Sequence, residues 1–592
     1  MLLPAVAEAW EDLLRWWDEF YNDPNFWLHL SLLVCVASIT IYIYVHIIAT
    51  RKRLFSHPWN TAPGRLPVVG HWHKIRNDKN LTAKLEQWAD LYGKQHGCYD
   101  IQIFGSTYTV ICRDDLADYI LKNRVDSLVN AQQYRDSLAS VGAGTALITA
   151  EGDAWREERQ LVAPLLMKKH QVQDYMTTIQ TTAKILIEKW VHQYDQLLAF
   201  KKKKAAKMDH HFLKITINND ITDGVADMIT HIATGKSLDL LSHPKSRTAK
   251  DIRIITLGAI RRGLSLVHPY WHYLPSFLTG QSLRGPKNRL LHSIEQEVKE
   301  EQRVFVEKQG INGIGDPARE STSSSSKAKT FLQKLFRSAP AHSVELTTER
   351  ATGEMLTLLL GGVQPLAKTL IRALCIIAED QDLQRELREE ADTVHLESLA
   401  DPTDIYNSLP RLKSFFHEVH RWYGVGLQQF RIQEELPFCG TLLPCGSNLI
   451  LLGRYLSTTA VSRSYSDSYQ HSNNGKGYYS DTDGNHIPGQ SSPSEFDPRR
   501  YLSKSDEPGS WVCKTPRHGT AFGGFGFGVR RCPGRHIAEL YSYCVVTLLL
   551  QQFELELPTG KLTKTKKRHR EIYDIVQALQ GKITLKLTKR EN

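Results

Sequence analysis

The stretch "FGGFGFGVRRCPGRHIAE", residues 522 to 539, sets one cysteine among glycines, phenylalanines and arginines, directly before a run with helical spacing. Phe525, Gly528, Arg530, Cys532 and Gly534 fall in the order F-x-x-G-x-R-x-C-x-G, and Pro533 follows the cysteine. Proline suits the first turn of a helix, where its missing N–H costs nothing. The spacing therefore predicts Cys532 at a helix N-cap, facing the positive end of the helix dipole. Arg530, Arg531 and Arg535 add cationic charge, and each of these influences favours the thiolate over the thiol. Glycines at 526, 528 and 534 let the backbone approach a flat partner and turn amides toward the sulfur. A chain built this way has to present one thiolate from a loop and carry away from it as a helix.

Other uses of the loop fit less well. A nucleotide loop reads G-x-G-x-x-G after a strand, whereas the glycines here are spaced G-x-G-x-G. A structural cysteine belongs among apolar neighbours, not three arginines. Zinc needs further ligands at suitable spacing, and Cys439 and Cys445 have no paired His or Cys near them. A single protein thiolate approached closely by glycine backbone fits the axial ligand of a haem iron. The nine cysteines of the 592 residues, an odd count without regular spacing, do not read as a disulfide framework and point to a reducing compartment.

A second feature concerns location. Phe26 to Thr50 contains no Asp, Glu, Lys or Arg, and about 20 apolar residues suffice to cross a bilayer as a helix. Acidic residues precede it (Glu11, Asp12, Asp18, Glu19, Asp23) and Arg51, Lys52 and Arg53 follow, so the positive-inside tendency places everything after it in the cytosol. The expected organisation is a lumenal segment over 1–25, a transmembrane anchor over 26–50, a basic, proline-rich hinge over 51–66 and a catalytic domain over 67–592. A buried core helix is the alternative for 26–50. In this topology the sequon at Asn80 faces the cytosol and stays bare. Ser/Gly/Asn-rich stretches at 311–329 and 461–494 read as mobile insertions. Helical periodicity dominates from Leu116 to Lys308, broken by the run Lys201 to Lys204, a solvated loop, helix end or lipid contact. "YDIQIFGSTYTVICR" reads as a hairpin, with further strands near 430–455 and at "KITLKL". The net charge of +10 suits an anionic partner or membrane surface and says nothing about fold.

The cysteine stretch resembles the haem-binding loop of the cytochrome P450 family. Three further motifs match in that family's order: Trp155 and Arg159 as W-x-x-x-R, Glu418 to Arg421 as E-x-x-R, and "FDPRRY" (Phe496 to Tyr501) as the P-E-R-F segment. Alone, the two helical pairs carry almost no information; four motifs in order are specific, and the resemblance covers roughly Pro63 to Leu587. It implies a mainly α P450 fold, a large helical domain with a small β-rich one, here preceded by a single transmembrane helix. It implies haem b with Cys532 as axial ligand, Phe525 shielding the sulfur, and Arg530 and Arg159 binding propionates. Arg431 either joins them or is a surface strand charge. Arg500 completes a network with Glu418 and Arg421.

The family's oxygen-activating motif, (A/G)-G-x-(D/E)-T, is altered. "LTLLLGGVQPLAKTL" supplies Gly361, Gly362, Gln364 and Pro365, so acid and alcohol are both replaced. Proton donation is general-acid work, and proline has neither hydroxyl nor N–H. Cholesterol 7α-hydroxylase and its relatives are similar here and are monooxygenases; prostacyclin synthase is similar too and rearranges an endoperoxide. The expectation is a haem-thiolate monooxygenase acting on a sterol, steroid or fatty acid, with reductase-independent isomerase or peroxygenase chemistry as the alternative and a non-catalytic haem protein as the third reading. NADPH would supply electrons through a redox partner. "RLKSFFHEVHRW" resembles animal mitochondrial-type P450s, which dock a ferredoxin through two lysines on that helix; Lys413 fits the first place and His417 fills the second. The apolar anchor and acidic leader point instead to the endoplasmic reticulum and NADPH–cytochrome P450 reductase; either partner is acidic, and Arg517, Arg531, Arg535 and Lys413 are either its cationic docking face or solvated charges. Membrane lipid is an expected partner and nucleic acid is not.

Overall fold

The computed structural model describes residues 30–42, 44, 59–66, 69–76, 81–203, 212–263, 283–312, 328–424, 427–459, 479–480, 486–487, 494–505, 510–514, 524–526, 528–558, 571–573, 577–579 and 581–590. Outside them lie the 1–25 segment, the first half of the hinge, Asn80, Lys204, Arg517 and most of both insertions. Within the second insertion, Tyr479–Ser480 and His486–Ile487 pair as two short strands.

The chain is mainly helical with small sheets. Strands β1 (Cys98–Ile103) and β2 (Ser106–Ile111) form the expected hairpin, turning through Phe104 and Gly105, both at positive φ, as a two-residue hairpin loop requires. Strand β3 (Leu128–Asn130) interrupts the stretch expected to be helical. Helix α1 (Gly152–Met167) carries Trp155 and Arg159; α2 (Met176–Lys203) ends in the lysine run, which matches its helix-end reading. A four-residue strand, β4 (Leu213–Thr216), precedes α3 (Ile217–Thr234) and α4 (Arg247–Gly263). The longest described helix, α5 (Thr348–Glu379), starts at an N-cap where the Thr347 hydroxyl accepts the Arg350 N–H at 3.2 Å. After α6 (Pro410–Tyr423) come β5 (Leu427–Ile432) and β6 (Asn448–Leu452), then α7 (Arg535–Gln552), β7 (Phe553–Glu556) and β8 (Thr584–Lys589).

One sheet has the order β1-β2-β6-β5-β3, antiparallel except for the parallel β2/β6 pair; the other has the order β7-β8-β4 and is antiparallel. The main core lies among the helices. Trp190, Phe331, Phe415, Phe416, Tyr541 and Tyr543 are all buried there. Helix α5 runs through the middle, and it tolerates close contact from α3 because position 362 is glycine: a Cβ there would stand 2.6 Å from Ile229 Cδ1.

Of the apolar 26–50 segment, Leu30–Tyr42 is helical, with exposed side chains. Among the described residues the helix long and apolar enough to cross a membrane is Thr348–Glu379, and most of it is buried in the core. That helix is α5, whose apolarity serves packing.

Candidate active site

A cavity of about 450 Å³ lies between α5 and the cysteine loop. Cys532, Phe525, Gly526, Pro533 and Gly534 form one wall; Thr357, Leu358, Gly361, Gly362, Pro365 and Thr369 of α5 form the opposite one. Trp155, Arg159 and Arg530 stand at its side. Thus the sequence motifs that lie furthest apart in the chain meet around one space.

The loop holds its shape by backbone contacts. The Cys532 N–H donates to the Phe525 carbonyl at 2.8 Å, and Gly526 takes φ +75° to close the turn. Gly528 opens a 3₁₀ turn, Gly528–Arg530. Helix α7 begins only at Arg535, with Gly534 as its N-cap. The expectation that Cys532 caps the helix is corrected: Pro533 and Gly534 form a turn that sets the cysteine before the first helical residue. The Gly534 amide still donates toward the sulfur.

The thiol itself also departs from expectation. Burial pushes the Cys532 pKa up, outweighing the Gly534 N–H and the Arg159 charge, and the Glu539 carboxylate adds to the rise. The arginines are otherwise engaged. Arg530 pairs with Glu151 at 2.5 Å and lies 4.4 Å from the Trp155 ring centroid; Arg535 pairs with Glu539 at 2.8 Å. Arg159 donates to the Arg531 carbonyl at 2.7 Å. A metal ion facing Cys532 would supply the missing positive charge, since a coordinating thiol is deprotonated outright.

Behind the loop sits the buried network. Arg421 donates twice to Glu418, at 2.6 and 2.7 Å, and Arg500 Nε stands 3.2 Å from Glu418 Oε2. Glu418 Oε1 also accepts the Asp497 N–H at 2.8 Å, and Arg421 reaches the carbonyls of Ser457 and Glu495. This pins the 495–500 segment to α6.

Two predicted site residues stand away from the cavity. Gln364 is buried on another face of α5 and donates to the Thr256 hydroxyl of α4 at 3.1 Å. At 100° per residue, a helix that turns Gly361 and Pro365 toward the cavity turns Gln364 aside. Arg431 is exposed on β5, just past the consecutive residues Leu427 to Phe430 that line the cavity. His417, assigned to a docking lysine's place, is buried, and its pKa is pushed down to about 2 by that burial and by nearby cations. It therefore cannot serve as a docking cation. Lys413 lies 5.4 Å from the Tyr406 ring centroid, and Arg535 is held by Glu539.

Some contributors were not foreseen. His420, inside the E-x-x-R motif, lines the cavity with its ring centroid 4.5 Å from that of Phe525. Burial lowers its pKa to about 3, so the imidazole is neutral. Gly524 fits against it so closely that a Cβ there would lie 2.6 Å from His420 Cβ. Gly524→Ala is expected to cost about 1–3 kcal/mol by overpacking, read as a lower urea midpoint, and to reduce haem retained through purification. An unchanged midpoint would show that the loop yields.

The cavity fits a haem on its own chemistry: one thiol on one wall, glycine backbone around it, an apolar opposite wall, and two guanidiniums with an indole at the side. Among the described residues no cluster of three or more His, Cys, Asp or Glu offers a competing metal site.

The cytochrome P450 family model matches residues 61–458 and 491–581. Human mitochondrial 25-hydroxyvitamin D-1 alpha hydroxylase is 25% identical over 422 residues, 70% of each chain. Mitochondrial cytochrome P450 11B of Aquarana catesbeiana is 23% identical over 426 residues, 70% of this chain and 67% of its own. Methyltetrahydroprotoberberine 14-monooxygenase of Papaver somniferum is 23% identical over 513 residues, 83% of this chain and 84% of its own.

Proposed function

The chain belongs to the cytochrome P450 family, and from that premise we propose that it is a haem-thiolate monooxygenase. It inserts one oxygen atom from O2 into a lipophilic substrate, a sterol, steroid or fatty acid. The observation that carries this reading is a cavity with Cys532 on one wall and mostly apolar side chains elsewhere, among them Leu121, Val125, Ile148, Met228 and Ile232. Burying apolar ligand surface there supplies about 25 cal/mol per Å², while Asn130, Gln428 and Gln429 offer a few polar contacts for orientation. The names of the relatives from Homo sapiens and Aquarana catesbeiana, a vitamin D hydroxylase and a P450 of the 11B group, support the sterol and steroid end of that range.

Haem b bound by Cys532 supplies oxygen binding and activation. The chain's own residues would do the rest: Arg159 and Arg530, at the side of the cavity beside Trp155, would hold the propionates while Arg530 also pairs with Glu151, and Phe525 would cover the sulfur from the side of His420. Gly361 and Gly362 leave room between the Thr357, Leu358 and Pro365 side chains of the opposite wall.

NADPH is the electron source through a redox partner. With His417 buried, the two-lysine ferredoxin pattern is incomplete, which favours NADPH–cytochrome P450 reductase. The same preference follows from an anchor over 26–50 with an acidic leader, placing the protein in the endoplasmic reticulum membrane with its body in the cytosol. The mitochondrial names of several relatives make mitochondria the competing site. Protease protection of an epitope-tagged chain in separated organelles decides between them.

A second reading has its own support. Pro365 stands in the cavity wall where it can donate no proton, which suits rearrangement of a lipid peroxide without a reductase. Product formation from a panel of sterols and fatty acids should require NADPH and reductase. Equal product from hydroperoxide with NADPH omitted establishes the second reading, and haem binding without turnover in either assay leaves a non-catalytic haem protein.

A further inference from the structure

Monooxygenation consumes two protons with two electrons for each O2 split between substrate and water, and neither Gln364 nor Pro365 can bring a proton into the cavity. The same face of α5 offers another source. Going one turn at a time from Pro365 toward the start of the helix, the residues are Gly361, Thr357 and Glu354. Thr357 lines the cavity, and its hydroxyl has no hydrogen-bond partner. Glu354 is fully buried; its Oε1 accepts the N–H of Leu147, itself a cavity residue, at 2.6 Å, while Oε2 meets no N–H donor.

Glu354 connects outward. Beside it lies Glu158 of α1, also buried and lacking an N–H donor at its Oε2, and the two carboxyls are in hydrogen-bond contact with each other. The other Glu158 oxygen pairs with Arg350, which in turn donates to the half-exposed Glu157 at 2.6 Å. Two buried carboxyls side by side cannot both ionise at modest cost. Desolvation raises the Glu354 pKa to about 8, with the Glu158 charge adding to the rise and Arg350 opposing it. Glu354 thus stores a proton at neutral pH, while Glu158 keeps the cation at its side.

We propose that Glu354 is the proton reservoir of the cavity, discharging through the Thr357 hydroxyl and refilled from solvent through Glu158 at the Glu157–Arg350 surface. The proposal rests on the monooxygenase reading. In each transfer Glu354 gives its carboxyl proton to Thr357 Oγ as the threonine's own proton passes into the cavity. Glu158, ionised at rest beside Arg350, then takes a proton from solvent hydronium and passes it to the Glu354 carboxylate, returning to its own ionised form. Electrons come separately from NADPH through the redox partner.

Glu354→Gln keeps the size and an oxygen for the Leu147 N–H, and Thr357→Val interrupts the relay one turn nearer the cavity. Infrared difference spectroscopy of wild type at pH 7 should show a buried carboxylic acid band that Glu354→Gln removes, whether or not the enzyme turns over. Both variants should bind haem with an unchanged carbon monoxide spectrum. Both should form product about 100-fold more slowly, divert oxygen to hydrogen peroxide, and show a larger solvent deuterium isotope effect. Glu354→Asp should restore part of the rate. Absence of the band in wild type overturns the proposal, as does wild-type product yield per NADPH with an unchanged isotope effect in Glu354→Gln. If wild type itself makes no NADPH-dependent product, the monooxygenase reading fails, and the infrared band alone decides whether Glu354 holds the proton.

Discussion

Replacing Cys532 with serine should abolish the red-shifted Soret band of the reduced, carbon monoxide-bound protein and leave the fold intact. The two side chains differ little in volume, and the backbone bond from the Cys532 N–H to the Phe525 carbonyl does not involve sulfur. Their acidities differ greatly. Even with burial opposing ionisation, a thiol facing ferric iron loses its proton, whereas a serine hydroxyl does so far less readily. Circular dichroism and urea unfolding should match wild type to within about 1 kcal/mol. An unchanged Soret band after haem reconstitution would remove Cys532 from the iron and with it the functional reading.

The second large effect belongs to Glu418. Glu418→Gln is expected to destabilise the protein by about 3–5 kcal/mol, because the buried Arg421 guanidinium and the partly buried Arg500 lose their counter-charge. Arg421 and Arg500 both converge on that carboxylate, and Glu418 also holds the Asp497 N–H. Given a total stability of about 5–15 kcal/mol, most of the protein should become insoluble on expression, with the remainder unfolding at much lower urea. The Arg499–Glu386 pair serves as the control. It is comparably short at 2.5 Å but largely exposed, so Glu386→Gln should cost about 1 kcal/mol or less. A loss of that size at Glu418 would show that water reaches the network.

These two sites were legible in the sequence for a common reason. The cysteine loop and the E-x-x-R pair use residues whose roles are local: glycine for positive φ, proline for a turn, an acid and a base on one helix face. What the chain order could not reveal depended on partners brought from elsewhere. Arg530 is neutralised by Glu151, far upstream, and that pairing makes the thiol's surroundings less cationic than three neighbouring arginines suggest. The Arg535–Glu539 pair, four residues apart, was readable and went unread. Gln364 went astray by phase, since one residue's step turns a helical side chain by 100°, and Arg431 lies just past the β5 residues that line the cavity. Glu158 and Glu354 carry no motif, and only the tertiary fold, which brings side chains of α1 and α5 together, makes them neighbours.

The β7-β8-β4 sheet has a consequence for how the molecule is made. Its middle strand, Thr584–Lys589, is the last of the three to leave the ribosome, yet it bonds Leu213–Thr216, synthesised several hundred residues earlier. The early strand must therefore wait with its edge open while the intervening helices emerge. Such long-range closure slows folding and leaves nascent edges prone to mispairing, so this sheet can close only once all the intervening helices have been made.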